Sequence, residues 1–117
     1  MQINPNTKEM SMVRGDSECI LVRQRDKETS ELIRFVTGDT VYLTVKSTAR
    51  IEDKSFQKVV TNFEDDGSAL INIEPIDTKD CEFGDYVYDI QVTFADSTVK
   101  TIIETSKFRL KPEVTYE

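Results

Sequence analysis

The stretch that decides the fold is GDYVYDIQVTF, residues 84–94. Its aromatic and apolar side chains occupy alternate positions, and the positions between them are polar apart from one valine. The alternating side chains are Tyr86, Tyr88, Ile90, Val92 and Phe94. Because successive side chains of a β-strand point to opposite faces, this period of two predicts a strand with one face in a hydrophobic core.

Similar segments bounded by turn residues recur along the chain. No run of apolar residues at helical spacing is long enough to predict a helix. They are residues 10–13, 17–23, 32–36, 40–46, 56–63, 68–74, 98–104 and 107–111. Polar loops are expected at 24–31 and 47–55, and the acidic turn 64–67 predicts a hairpin because Gly67 can adopt a positive φ. About seven to nine strands at this spacing predict an all-β fold, an antiparallel β-sandwich, with a small barrel or a jelly roll as alternatives.

The length of 117 residues is typical of one domain. We expect a flexible N-terminal segment at residues 1–9, a single sandwich domain at 10–115 and a short C-terminal segment at 116–117. No apolar run approaches the roughly 20 residues that a membrane span requires, and the first ten residues lack the core of a signal peptide. We therefore expect no membrane association and a cytoplasmic site of synthesis.

Charge and residue content argue against several functions. The chain has 22 acidic and 15 basic side chains and a formal net charge of −7, which disfavours nucleic acids as partners. Histidine is absent from the sequence, and with it the most common general base and the nucleophile pairs that depend on it. We expect no enzymatic activity and no cofactor.

The sequence offers weak signals for a disulfide or a metal site. Cys19 and Cys81 are far apart and belong to no metal-binding motif, so we expect two free thiols, with one disulfide as the alternative. Acidic residues cluster at 64–66 and again in a second group, which comprises Asp77, Asp80, Glu82 and Asp85. Neither group has EF-hand spacing, so we expect solvated loops, and a Ca²⁺ site in the second group is the alternative.

The two tyrosines at the head of the 84–94 strand are interpreted as structural. A tyrosine near the start of a strand can fasten the corner between two sheets by donating its hydroxyl to a carbonyl a few residues upstream. We expect this role for Tyr86, with Gly84 permitting a close turn and Asp77 capping one helical turn in the connecting loop. Tyr88 is expected in the core, because it shares its face with the apolar positions of the strand. A binding face that uses both tyrosines is the alternative.

Five stretches, in this order, resemble the N-terminal domain of the baseplate upper proteins of phages that infect Gram-positive bacteria. They are RGDS at 14–17, GDTVYLTVK at 38–46, GSALINIEPIDT at 67–78, FGDYVYDIQVTFADSTVKT at 83–101 and FRLKPEVT at 108–115. The resemblance implies an immunoglobulin-like β-sandwich that serves as a structural or attachment module of a phage or prophage tail. One departure is the turn after Phe94, where the family usually has Asp-Gly and this chain has Asp96 and Ser97.

We therefore expect a non-catalytic protein that assembles with tail or baseplate proteins, or with copies of itself, in the host cytoplasm and then in the virion. The first and last strands, residues 10–13 and 107–111, are the expected sheet edges for this pairing. One alternative is a carbohydrate- or peptide-binding module, and its candidate residues are Tyr42, Asp80 and Glu82. Another is an adhesin fragment, with the tripeptide Arg14-Gly15-Asp16 as its recognition sequence, although a strand-to-strand turn is the preferred interpretation of these residues.

Overall fold

A computed structural model describes residues 2–26, 28–48 and 54–113. These residues are mostly β, which confirms the all-β prediction. The strands are β1 Gln2–Ile3, β2 Met10–Val13, β3 Glu18–Val22, β4 Gln24–Arg25, β5 Leu32–Ile33, β6 Thr40–Lys46, β7 Phe56–Val60, β8 Ala69–Ile73, β9 Gly84–Thr93 and β10 Val99–Lys111. A short helix, α1 Pro75–Lys79, precedes β9.

The strands form one large sheet and two small ones. The six-stranded sheet has the order β1-β2-β10-β9-β6-β7, while β3 pairs with β8 and β4 pairs with β5. All pairs are antiparallel except β2 and β10, which run parallel. The prediction of antiparallel pairing is wrong at this pair, because the two strands come from distant parts of the chain and no hairpin sets their direction.

One hydrophobic cluster takes side chains from the large sheet and from the β3–β8 pair. In β9, Tyr88 is 2% exposed and Ile90 and Val92 are fully buried, so the predicted core face of this strand is confirmed. The ring of Phe108 in β10 lies edge-on to Phe56 and to Tyr88, with centroids 6.0 and 6.5 Å apart. The other buried members of the cluster in these two sheets are Met10, Met12, Ile20, Val22, Val41, Leu43, Val45, Ala69, Ile71, Ile73 and Leu110.

The acidic turn at 64–67 forms as predicted, but it does not close a hairpin. The amide of Gly67 donates to the carbonyl of Glu64 at 2.8 Å, and Gly67 has a φ of +80°. A Cβ at this position would lie 2.5 Å from the Cβ of Arg34, so glycine is required for space as well as for conformation. The strands on either side lie in different sheets, since β7 pairs with β6 and β8 pairs with β3. The predicted hairpin is therefore wrong, because a turn sequence specifies a local reversal and not the partner of the next strand.

Part of the N-terminal segment forms a strand, and the flexibility expected at residues 1–9 stays a prediction. Gln2 and Ile3 form β1 and pair with β2. The side chain of Asn4 accepts hydrogen bonds from the amides of Asn6 and Thr7 at 2.9 and 3.1 Å. This turn reverses the chain so that β1 can return along β2.

Two further boundaries differ from the expectation. The loop predicted at 24–31 begins with β4, which pairs with β5. The last strand is continuous over 99–111, and the predicted interruption near Thr105 and Ser106 is present as two register shifts against β9, one of which lies between Ile103 and Ser106. Residues 49–53 of the predicted 47–55 loop, and residues 114–117, which include the expected C-terminal segment, lie outside the described residues.

Candidate interaction surfaces

Strand β10 has two parts with different neighbours. The closed half, residues 108–111, lies between β2 and β9. The open half, residues 99–107, pairs with β9 alone among the described strands. Its other side is therefore a sheet edge, where backbone N–H and C=O groups lack a strand partner.

The sheet edges match the strands expected from the sequence only in part. Met10 and Ser11 of the strand predicted at 10–13 lie between β1 and β10, and residues 108–111 of the strand predicted at 107–111 lie between β2 and β9. These residues are internal, because the parallel pair joins the first predicted strand to the last, whereas Lys107 belongs to the open half of β10. In the described part of the chain, the edges are instead the open half of β10, strand β7, the two-residue β1 and the outer sides of the two small sheets.

A groove of about 600 Å³, the open groove, runs between the open half of β10 and the β3–β4 segment. Its floor is apolar and includes Ile20, Val22 and Ile90, which are buried members of the hydrophobic cluster. The wall on the β10 side includes Ile102 and Ile103, which are partly buried against the same cluster. The groove thus opens directly onto the core between the two sheets.

The rim of the open groove is polar and mostly basic. Its charged side chains are Lys8, Arg23, Arg25, Lys100 and Glu104. Gln24 also lines the groove, although this side chain is only 6% exposed. Its carbonyl oxygen Oε1 has no hydrogen-bond partner among the described residues.

A second groove, of about 750 Å³, lies on the face of β10 that carries its exposed side chains. Lys107, Arg109 and Lys111 line it together with Asp85. Arg109 pairs with Asp85 at 3.4 Å, and both side chains are exposed. This outer-face groove is a solvated polar surface with mixed charge, and such surface ion pairs contribute little to stability.

The residues predicted at the corner lie around the start of β9. The hydroxyl of Tyr86 donates to the carbonyl of Glu82 at 2.5 Å, four residues upstream, and partial burial raises the pKa of Tyr86. Gly84 has a φ of +145°, and no atom lies within 4 Å of the place where its Cβ would be. Glycine is therefore favoured here by the backbone conformation, and not by a lack of space for a side chain.

Asp77 does not cap the helix in the predicted way. Helix α1 begins after Glu74, with Pro75 at its first position, where a missing N–H costs nothing. The carboxylate of Asp77 therefore lies inside the first turn and accepts a hydrogen bond back from the amide of Glu74 at 2.7 Å. It also pairs with Lys58 of β7 at 3.0 Å, which links the helix to the large sheet.

Tyr88 is a core residue with a specific hydroxyl partner. Its ring is buried, and its hydroxyl donates to the carbonyl of Lys8 in the N-terminal turn. Burial raises the pKa of Tyr88 to about 12, because the phenolate would be poorly solvated there. Tyr88 therefore joins β9 to the segment that leads into β2.

The tripeptide at residues 14–16 lies in the turn between β2 and β3, and its arginine is engaged within the chain. The guanidinium of Arg14 pairs with Glu113 at 2.7 Å and donates to the carbonyl of Cys81 at 3.1 Å. It also lies over the ring of Phe83, 5.2 Å from the centroid. Hydrogen bonds from Arg14 lower the pKa of the Glu113 carboxyl. Arg14 thus ties together three separate segments of the chain.

The acidic residues and thiols are dispersed. In the described residues, no three or more Cys, Asp or Glu side chains are grouped to hold a metal ion. Asp77 and Asp85 of the second acidic group are paired with lysine and arginine. Cys19 and Cys81 are free thiols, and burial raises the pKa of Cys81, which disfavours its reactive thiolate form.

The residues proposed for a carbohydrate or peptide site are not brought together. Tyr42 lies in the middle of β6, where it pairs with Gln91 and Val59. Asp80 and Glu82 lie in the loop between α1 and β9. Within the described part of the chain, none of the three candidates lines the open groove or the outer-face groove.

The open groove could not be predicted from the sequence, because the residues that line it are distant from one another along the chain. Gln24 and Arg25 fall in a stretch that reads as a polar loop. One local signal was present at Ile102 and Ile103. Two consecutive isoleucines break the alternation of an amphipathic strand and indicate a β-bulge, which is where the register against β9 shifts.

The comparisons with protein families and with curated proteins found no match. No protein-family model matches the chain, and no curated protein matches it at a significant level. No helix in the described residues is long and apolar enough to cross a membrane. The resemblance to the baseplate upper proteins therefore stays a prediction.

Proposed function

We propose that the chain is a non-catalytic structural or attachment module of a phage or prophage tail, and that it acts by protein–protein assembly. The observation that carries the assembly function is the open half of β10, a sheet edge beside a groove that reaches the apolar core. Unpaired edges of this kind bind extended segments of other proteins through main-chain hydrogen bonds. The tail setting is supported by the five sequence stretches that resemble baseplate upper proteins.

The immunoglobulin-like fold is part of this proposal. The order β10-β9-β6-β7 corresponds to strands G, F, C and C′ of a variable-type sandwich, and the β3–β8 pair corresponds to strands B and E. In this assignment Tyr86 stands near the start of strand F and bonds a carbonyl upstream, as a corner tyrosine does. Tyr88, two residues later, occupies the position where antibody domains carry a disulfide cysteine.

The chemistry of the remaining side chains also favours a structural protein. Arg14, Asp77 and Tyr86 each bond to another segment of the chain, and these bonds hold loops in place. The partners proposed are other tail or baseplate proteins, or further copies of the chain. Assembly would take place in the cytoplasm of the bacterial host, and the product would be part of the virion.

The test is the molar mass of the purified chain by light scattering, first alone across a concentration series and then with each tail protein encoded beside it. We expect either a defined oligomer or a complex of fixed stoichiometry with one of these proteins. A glycan array serves as the comparison for the carbohydrate-binding alternative. A chain that stays monomeric, binds none of the tail proteins and binds a glycan would overturn the proposal.

A further inference from the structure

We infer that the open groove receives an extended segment of a partner protein, in which apolar side chains alternate with acidic ones. The segment adds a strand beside the open half of β10 and closes the gap between the large sheet and β3. This inference rests on the proposed function, because it names the surface and the chemistry of the partner that assembly requires.

The vacant position in the sheet adjoins the start of β2. Strand β2 begins at Met10, which pairs with Phe108, and it covers only the closed half of β10, so no described strand lies beside residues 99–107 on that side. An added strand would occupy this vacant position in the sheet. The register shifts between Thr101 and Ser106 leave only short regular stretches of edge, so main-chain pairing alone gives limited affinity. The groove beside the edge must supply the rest.

The floor and one wall of the open groove are apolar. An inserted strand presents every second side chain to one face. Side chains on that face would contact Ile102 and Ile103 on one wall and Ile20 below. A cavity of about 600 Å³ has room for several aliphatic side chains, and their burial there removes apolar surface from water on both partners.

The orphaned oxygen of Gln24 is an independent observation. A buried amide oxygen without a donor is rare in folded proteins and costs free energy, since it has lost its water and gained no partner. Oε1 of Gln24 is such an atom, and Gln24 is one of the residues that line the groove. A backbone N–H of the inserted segment would satisfy this acceptor once the side chain turns toward the groove, whereas a purely apolar small molecule would not.

The charge of the rim selects the partner's polar side chains. Four of the five charged rim residues are basic, although the whole chain has a net charge of −7. Arg23 already has a partner, Asp66, at 3.5 Å. The pKa of Asp26 is lowered by backbone hydrogen bonds from Thr29 and Glu28 and also by the charge of Lys100, so Lys100 has one carboxylate nearby. Arg25 forms no salt bridge within the described part of the chain, and its guanidinium donates to the carbonyl of Ser30. Acidic side chains on the solvent-facing side of the segment fit this rim.

The probe is a dye-labelled peptide of about eight residues, the length of a short strand, in which valine and glutamate alternate. Binding is measured by fluorescence anisotropy and mapped by amide chemical shifts. We expect saturable binding, with shifts concentrated at residues 20–25 and 99–104. A matched valine–lysine peptide should bind at least about tenfold more weakly, because it places cations beside a basic rim. The valine–glutamate peptide with N-methyl groups on every residue should not bind, because it has no N–H donors for strand pairing.

Two charge reversals on the same strand distinguish binding in the open groove from a general effect of the net charge on peptide binding. Lys100→Glu changes the open groove, whereas Lys107→Glu makes the same change of net charge in the outer-face groove. We expect Lys100→Glu to weaken peptide binding by about tenfold and Lys107→Glu to change it by less than about twofold. Equal effects of the two variants, or chemical shifts outside the groove, would overturn the inference.

The inference and the proposed function fail in different ways. If a tail protein binds the chain equally well with Lys100 and with Lys100→Glu, and the peptides do not bind, the groove inference is wrong and the assembly function stands. If the valine–glutamate peptide binds in the groove but no tail protein and no second copy of the chain binds, the groove stands and the tail function is wrong.

Discussion

The two halves of β10 belong to one continuous strand, yet they do different things. In the closed half, Phe108 and Leu110 are buried between two neighbouring strands. In the open half, Val99 is 62% exposed, and the isoleucines at 102 and 103 are partly buried beside a groove. The difference teaches that a single strand can combine a buried half with a half that leaves one edge unpaired. The closed half holds the sheets together, and the open half keeps an edge and apolar surface available.

The largest expected difference between the halves is in core packing. Phe108→Ala should lower the free energy of unfolding by about 3–5 kcal/mol, because it removes a fully buried ring that packs against Tyr88 and Phe56. Val99→Ala should change it by no more than about 0.5 kcal/mol, since this side chain is mostly in water. Urea denaturation of both variants measures the two values. Similar losses would mean that the halves contribute equally to stability.

The next effect concerns Tyr88, which pairs with Ser106 of the open half and holds the N-terminal turn. An unfolded tyrosine ionises near pH 10, whereas the buried Tyr88 keeps its proton until about pH 12. Its contribution to stability is therefore complete below pH 10 and is lost as the pH rises from 10 through 12, by up to about 3 kcal/mol. Denaturation midpoints measured across this pH range should fall less steeply for Tyr88→Phe than for the natural chain. Parallel curves would contradict the buried, protonated hydroxyl.

A smaller effect is expected at Tyr86, which pairs with Phe108 in the closed half. Tyr86→Phe should cost about 1 kcal/mol, because it removes the hydrogen bond to the carbonyl of Glu82 and leaves the ring in place. Tyr42→Phe, on β6, is the control for loss of a tyrosine hydroxyl elsewhere in the large sheet. An unchanged denaturation midpoint for Tyr86→Phe would show that the corner does not depend on this bond.

The smallest effect is expected at the turn that leads into the open half. Ser97 has a φ of +74°, a conformation that costs free energy for any residue with a Cβ. Ser97→Gly should therefore raise the free energy of unfolding by roughly 0.5 kcal/mol, after the entropy that glycine loses on folding is subtracted. Ser106→Gly is the matched control, and it should lower stability because it places glycine inside a strand. A destabilising Ser97→Gly would mean that the serine side chain holds the turn.

Local features of the fold could be predicted from the sequence, because they depend on neighbouring residues. The alternation of β9 predicted its buried face, and Gly67 predicted a turn with a positive φ. Strand pairing could not be predicted in the same way. The partner of β8 is β3 and that of β2 is β10, and these pairs join residues that are distant in sequence. The wrong edges and the wrong hairpin both follow from this limit.

The candidate site was harder to predict than the fold. The open groove exists because β2 begins only at Met10, beside Phe108, and this is a property of the assembled sheet. Its rim is collected from the N-terminal turn, β4 and the start of β10, so no short motif contains it. Gln24 reads as a loop residue in the sequence, and only the folded chain shows that its side chain is buried and short of a donor.

The parallel pairing of β2 with β10 has a mechanical consequence. Met10 lies beside Phe108 and Val13 beside Lys111, so the two strands run side by side in the same direction. A pull on the chain before Met10 and after Lys111 would draw them in opposite directions along their length, and every hydrogen bond of the pair would be loaded at once. Antiparallel neighbours pulled from adjacent ends open one bond at a time instead. This pair of strands therefore resists a stretching force more strongly than an antiparallel pair pulled from adjacent ends would.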